Sequence, residues 1–317
     1  MTKTHFPYFY AKILLFGEYS LMVGSNAFSM PLSQFGGELK FAKTESLQGP
    51  EIQSNYNLRK FVHALEKMNE QKKLPVVFDF ERLFADLDNG LFFDSTIPQG
   101  YGLGSSGALV AAVFHSYALN IKNRSASFSE DEIKKLKNDF SIMESYFHGK
   151  SSGLDPLICY LSKPINVESN GNLHETVVPP SNSKGEKVLF LLDTGLTGET
   201  QPLVNYFVRQ CKNKNYLNKI TNVLIPLNNQ SIHAFLQGET EIFKEKMRAI
   251  SAFTMSNFSP MIPEQIKKIW AEGLESKTFS LKLCGSGGGG MMLGYTEDIK
   301  LTRKLTGNFT IEPVYRF

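Results

Sequence analysis

Pro98-Gln99-Gly100-Tyr101-Gly102-Leu103-Gly104-Ser105-Ser106-Gly107 places four glycines within eight positions and ends on two adjacent serines. Glycine frees the backbone to take positive φ and to approach a ligand closely. The preceding Gly90-Leu91-Phe92-Phe93-Asp94 reads as a strand. The following Ala108-Leu109-Val110-Ala111-Ala112-Val113-Phe114 reads as an apolar helix. A glycine turn that opens a helix offers unpaired N–H groups and a partial positive charge, which suits a polyphosphate. The two serines can donate hydrogen bonds or ligate Mg²⁺. No Lys follows the last glycine, so the P-loop pattern fails. The turn also lies too far along the chain for the usual dinucleotide fingerprint. The plain structural alternative is a serine-capped helix after a mobile turn.

Outward from this turn, Ala11-Lys12-Ile13-Leu14-Leu15-Phe16-Gly17-Glu18-Tyr19 predicts a buried strand running into a glycine turn. Residues 41–53 read as mixed and strand-like, and 57–70 as a helix. Val76-Val77-Phe78-Asp79-Phe80 reads as a further strand. Ser129 before Glu130-Asp131-Glu132 is a helix start, with the helix expected to reach about 147. Residues 148–156 read as a loop or a loop-to-helix entry. The polar stretch 181–186, after Pro179-Pro180, sets a boundary between an N-terminal nucleotide-binding domain, 1–182, and a C-terminal domain, 183–317. The second half predicts a strand at 188–193 and helices near 201–211, 220–236, 242–255 and 263–273. A hairpin at 281–284 and 291–295 encloses Gly285-Ser286-Gly287-Gly288-Gly289-Gly290. A helix at 296–306 and a strand at 309–314 follow. Strands and helices mixed in both halves indicate α+β.

The totals exclude several classes. A chain of 317 residues predicts two domains or one large one. Its net charge is +3, from 34 basic and 31 acidic residues, too small to argue for a nucleic-acid partner. Cys159, Cys211 and Cys284 are scattered and odd in number. They suggest neither a disulfide framework nor a zinc pattern, and reduced thiols are the simplest reading. The first six residues show no apolar signal core, and no apolar run approaches the roughly 18 residues a bilayer needs. Cytoplasmic location, with no membrane partner, is therefore the default expectation.

Three motifs in order carry a resemblance. Pro98 with Gly102-Leu103-Gly104-Ser105-Ser106 resembles the P-x-x-x-G-L-G-S-S-A motif of the GHMP kinases. Lys12-Ile13-Leu14-Leu15-Phe16-Gly17-Glu18 is similar to the family's K-x-I-L-F-G-E-H. Lys282-Leu283-Cys284-Gly285-Ser286-Gly287-Gly288-Gly289-Gly290 is similar to its K-L-T-G-A-G-G-G-G. Within the family, His148-Gly149-Lys150-Ser151-Ser152-Gly153-Leu154-Asp155 resembles the H-G-x-P-S-G-x-D of the mevalonate kinase branch. Glu144 stands eleven positions before Asp155, as the branch's metal-binding Glu does before its Asp. Residues 193–204 are similar to the branch's substrate-side segment, and the departures are Tyr19 for His, Gly107 for Ala, Ser151 for Pro, Cys284 for Thr and, before Thr200, Gly198 for the Arg that many of the branch carry.

The resemblance implies a two-domain α+β GHMP kinase fold. Its N-terminal half would be like ribosomal protein S5 domain 2 and its C-terminal half ferredoxin-like. It implies ATP and Mg²⁺, and γ-phosphoryl transfer to the 5-hydroxyl of mevalonate. Phosphomevalonate, a sugar or an amino-acid alcohol as acceptor, a related decarboxylase, and a non-catalytic ligand sensor are the alternatives. A small-molecule alcohol is the expected partner, and a homodimer is left open. Gly102, Leu103, Gly104, Ser105, Ser106 and Gly107 would hold the phosphates. Ser106 and Glu144 would ligate the metal. Asp155 would orient or deprotonate the acceptor hydroxyl, with Lys12 as its catalytic partner. Glu18, Tyr19, Thr200, Gly287 and Gly288 would lie by the substrate, Tyr19 donating a hydrogen bond in place of the missing His. Without the resemblance, Lys12 reads as an edge-strand lysine, Glu144 as a surface helix residue, Asp155 as a helix N-cap before Pro156, and 285–290 as a flexible hairpin loop.

Overall fold

The computed structural model describes residues 5–43 and 49–317. In chain order the elements are β1 (Phe9–Phe16), β2 (Ala27–Phe41), α1 (Pro50–Glu70), α2 (Phe80–Asp88), β3 (Leu91–Ser95), α3 (Ser105–Tyr117), α4 (Glu130–His148), α5 (Leu154–Leu161), β4 (Ile165–Val167), β5 (Leu173–Glu175) and β6 (Val188–Asp193). There follow α6 (Thr200–Gln210), α7 (Lys214–Lys219), α8 (Ile225–Gln237), α9 (Thr240–Asn257), α10 (Glu264–Ser276), β7 (Phe279–Leu283), β8 (Met291–Thr296), α11 (Ile299–Thr306) and β9 (Ile311–Arg316). A π-helical turn, Ile220–Leu224, joins α7 to α8.

The chain divides into two compact units. One takes the residues up to Lys12, Pro31–Pro98 and Gly104–Lys163. The other takes Ile13–Met30, Gln99–Leu103 and Pro164–Phe317. In the first unit, residues 37–41 of β2 pair antiparallel with β3, and α1 packs on β3 while α3 packs on α4 and α5. Its core is aromatic. Phe114 stacks edge-on against Phe140 at 4.8 Å and against Tyr160 at 5.3 Å, and all three are buried. Such rings bury large apolar areas and favour these tilted contacts. α4 starts as its residues dictate: the Ser129 hydroxyl accepts from Glu132 N–H, and the Glu132 carboxylate accepts from Ser129 N–H, a capping box.

In the second unit, β6 lies between β8 and β9 and β7 lies outside β8, with every pairing antiparallel. Strand β6, a helical excursion, the hairpin β7–β8, helix α11 and strand β9 form the β-α-β-β-α-β order of a ferredoxin-like domain. β6, β7 and β8 are almost wholly buried, and α9 and α10 pack on β7. Their apolar runs therefore lack alternation.

Three expectations are corrected. Val76–Phe80 is no strand: Phe78 makes a single bridge to Ala118, and Asp79 caps α2 by accepting from Arg82 N–H. The strand expected at 41–53 is instead β2, ending at Phe41, and α1 begins at Pro50; residues 44–48 of that expectation lie outside the described residues. So do residues 1–4 of the stretch read for a signal core. The N-cap of α5 is Gly153, so Asp155 sits inside the first turn.

Candidate active site

Lys12 lies in the middle of β1, 5% exposed. A buried ammonium needs a counter-charge, and its Nζ is 2.8 Å from Asp155 Oδ2. The Lys12 stem runs along Gly104, where an added Cβ would stand 2.9 Å from Lys12 Cγ. Gly104 takes φ 79° as the N-cap of α3 and has no side-chain cap. The first amide of this helix to bond a helical carbonyl is that of Ala108. The amides before it form the donor cluster that the sequence placed there. Gly107 backs onto α5: a Cβ would meet the Asp155 carbonyl carbon and the Pro156 nitrogen at 2.9 Å. Glycine in place of alanine at this position fits that close approach.

In the first turn of α3, the Ser106 hydroxyl donates to Glu144 Oε1 at 3.1 Å. His148 Nε2 is 3.1 Å from the same hydroxyl, and Ser151 donates to Glu144 Oε2. Burial pushes the Glu144 carboxyl up to about 7, and neighbouring Asp155 adds to this, while Ser151, Ser106 and Lys12 oppose it. Two oxygens about 3 Å apart match adjacent corners of an octahedron with arms of about 2.1 Å. The Ser106–Glu144 pair thus fits Mg²⁺, a hard cation that takes few protein oxygens. Cys159 lies beside Gly104, and burial pushes its thiol well above the ordinary range, which makes it inert packing.

The sequence assigned no role to His148 or Ser151, though both stand in the motif quoted around Asp155. Their polarity beside Glu144 is the signal that was available. Gly102 and Leu103 belong to the second unit, where a Cβ on Gly102 would stand 3.1 Å from the Cys284 carbonyl oxygen; the Leu103 side chain is buried.

The other sequence candidates also lie in the second unit. Glu18 receives a hydrogen bond from Lys282 at 2.6 Å, and both side chains are less than a tenth exposed. Burial raises the Glu18 carboxyl and Lys282 opposes it. Lys282 was read only as part of a motif, so this pairing was missed. The Tyr19 hydroxyl donates to Ser286 O at 2.6 Å, and Thr200 Oγ1 is 3.1 Å from Ser286 Oγ. The backs of Gly287 and Gly288 face Met261 and Leu203.

Residues 59–163 match the model of the GHMP kinases N terminal domain. No curated protein matches the chain. Among solved structures, mevalonate kinase of L. major in complex with R-mevalonate is similar with TM-score 0.64 at 16% identity, over 99% of this chain and 97% of that one. Phosphomevalonate kinase of Streptococcus pneumoniae with phosphomevalonate and AMPPNP gives 0.61 at 15%, over 97% and 99%. Galactokinase of Lactococcus lactis with galactose gives 0.66 at 15%, over 99% and 94%. The chain therefore has the GHMP kinase fold, and its residues 59–163 belong to the GHMP kinase N-terminal domain family.

Proposed function

We propose that this chain is an ATP-dependent kinase that moves a γ-phosphoryl group to the hydroxyl of a small alcohol, and that the 5-hydroxyl of mevalonate is the acceptor. The observation that carries the reading is the cluster within the first unit. Lys12 and Asp155 are paired at 2.8 Å against the open N-terminus of α3, with Ser106 of its first turn bonded to Glu144. Phosphoryl transfer asks a protein for positioning and charge neutralisation, with little covalent chemistry of its own. The amides at the start of α3 bind the nucleotide phosphates. Ser106 and Glu144 hold Mg²⁺, which when bound neutralises phosphate charge. Lys12 supplies positive charge for the oxygens of the transferred group.

Asp155 accepts a hydrogen bond from the acceptor hydroxyl and orients its oxygen. As the acceptor O–P bond forms, the bond from phosphorus to the β–γ bridging oxygen breaks, ADP leaves and the hydroxyl proton passes to Asp155. The resemblance of 148–155 to the mevalonate kinase branch supports mevalonate over other alcohols. A panel of R-mevalonate, phosphomevalonate and galactose, read by ADP release, tests this. Turnover on mevalonate is expected; turnover on galactose alone, or on none of the three, refutes mevalonate as the acceptor. Asp155→Asn should lower kcat by roughly 10²–10⁴ with the KM for ATP held. A wild-type kcat removes Asp155 from this role.

A further inference from the structure

Within the second unit, residues 285–290 are gripped from several sides. Gly288 N–H donates to Met261 O at 2.7 Å and Gly290 N–H to Leu196 O at 2.6 Å. A Cβ on Gly198 would stand 2.6 Å from Gly287 O, so 198 admits only glycine while this loop stays where it is. Thr194 donates from its N–H and its hydroxyl to Gly290 O, and a further hold comes from Tyr19. Its φ of 62° and ψ of −44°, with Ser20 N–H donating to Glu18 O at 2.6 Å, make a γ-turn of the rare positive-φ kind. Strain of this sort persists where the surroundings over-determine it, and it gathers at working sites. Here the ring packs on Phe207 at 4.9 Å and Phe258 at 5.6 Å, and the hydroxyl reaches Ser286 O. With its carbonyl held, Ser286 aims its own hydroxyl at that of Thr200, which is exposed. Each hydroxyl can donate and accept, so the pair suits a neutral hydroxyl or carbonyl oxygen on a ligand. Lys282, a cation of the same unit, is engaged by Glu18 and by the Leu283 carbonyl.

We infer that Tyr19 is a positioning residue for acceptor selectivity: with Gly198 it fixes 285–290 so that the Ser286–Thr200 hydroxyl pair meets a neutral polar group of the acceptor. This rests on the kinase reading above. Two departures from the mevalonate kinase branch, Tyr19 and Gly198, then act on one loop. The test uses the full chain with Tyr19→Phe, which removes the hydroxyl alone, and Gly198→Ala, which pushes the loop from the other side. Loss of one hydrogen bond should speed amide exchange across 286–290 and raise the KM for R-mevalonate by roughly tenfold, with the KM for ATP within about twofold. Gly198→Ala should move both readouts in the same direction. Unchanged exchange in Tyr19→Phe overturns the inference. So does faster exchange with an unchanged acceptor KM, or a rise of both KM values together. If the wild-type chain phosphorylates none of R-mevalonate, phosphomevalonate and galactose, the acceptor reading above has failed, and the hold of Tyr19 on the loop stands or falls on exchange alone.

Discussion

Lys12 and Asp155 are unequal partners. The lysine side chain is 6% exposed and the aspartate 36%. Removing the carboxylate takes a close counter-charge from a nearly buried ammonium, whereas removing the ammonium leaves a carboxylate that water can solvate. Asp155→Ala should therefore cost more stability than Lys12→Met, by about 1 kcal/mol or more, in paired thermal melts; equal losses contradict this asymmetry. Glu144 makes a second claim at this scale. Its folded pKa, about 7, lies above the ordinary 4.5. Below the ordinary value both states hold the proton. Between the two values only the folded state does, so stability falls as pH rises through this window, by roughly 3 kcal/mol in total. Without divalent cation, denaturant midpoints should drop between pH 5 and pH 7, and Glu144→Gln should flatten that slope. A slope unaltered by the substitution removes Glu144 as its source. These residues were legible through the motifs that carry the resemblance; by themselves Lys12 reads as an edge-strand lysine and Glu144 as a surface helix residue. Ser151 was not, since serine in a loop is ordinary until the fold sets it on Glu144.

Helix α4 brings Glu144 to Ser106 from 14 residues beyond its own N-terminus, so its start matters to a site it does not touch. Ser129→Ala removes one half of the capping box and should cost about 1 kcal/mol, read by urea unfolding, with kcat unaltered; no loss of stability would mean the cap is idle. This helix start was legible because its chemistry is local: a serine, three acidic residues, then apolar spacing. β2 and α2 were not. β2 carries Pro31 and Gly36-Gly37, which break a strand pattern, yet pairing with β3 and β4 holds it extended. α2 begins within Val76-Val77-Phe78-Asp79-Phe80, whose β-rich composition favours a strand. The Asp79 cap and the single bridge at Phe78 decide otherwise. Asp155 was misplaced for a similar reason. Pro156 follows it as Pro follows a cap, but Gly153, at φ 73°, turns the chain two residues earlier.

The molecule brings position 12 beside position 155, and 106 beside 144, so the candidate nucleotide site is absent from any short stretch of the unfolded chain. The three glycine-bearing motifs announced the fold because each must occupy a fixed place in it; the residues between them, chosen mainly to be apolar, did not announce their strand order. A ligand that binds only the folded form stabilises it by mass action, about 2.7 kcal/mol at a hundredfold excess over Kd. For a chain of this size that is a melting shift of roughly 5 °C. AMPPNP with Mg²⁺ should produce a rise of that order, and AMPPNP with chelator a smaller one. The double change Ser106→Ala with Glu144→Gln should abolish the difference between the two while keeping the chelator-insensitive part, because the amides of α3 and Lys12 are untouched. A melt that ignores AMPPNP in every condition overturns the nucleotide site, whatever the acceptor proves to be. A shift that is equal with and without Mg²⁺ in the unmodified chain removes Ser106 and Glu144 as its ligands and leaves the phosphate cradle standing.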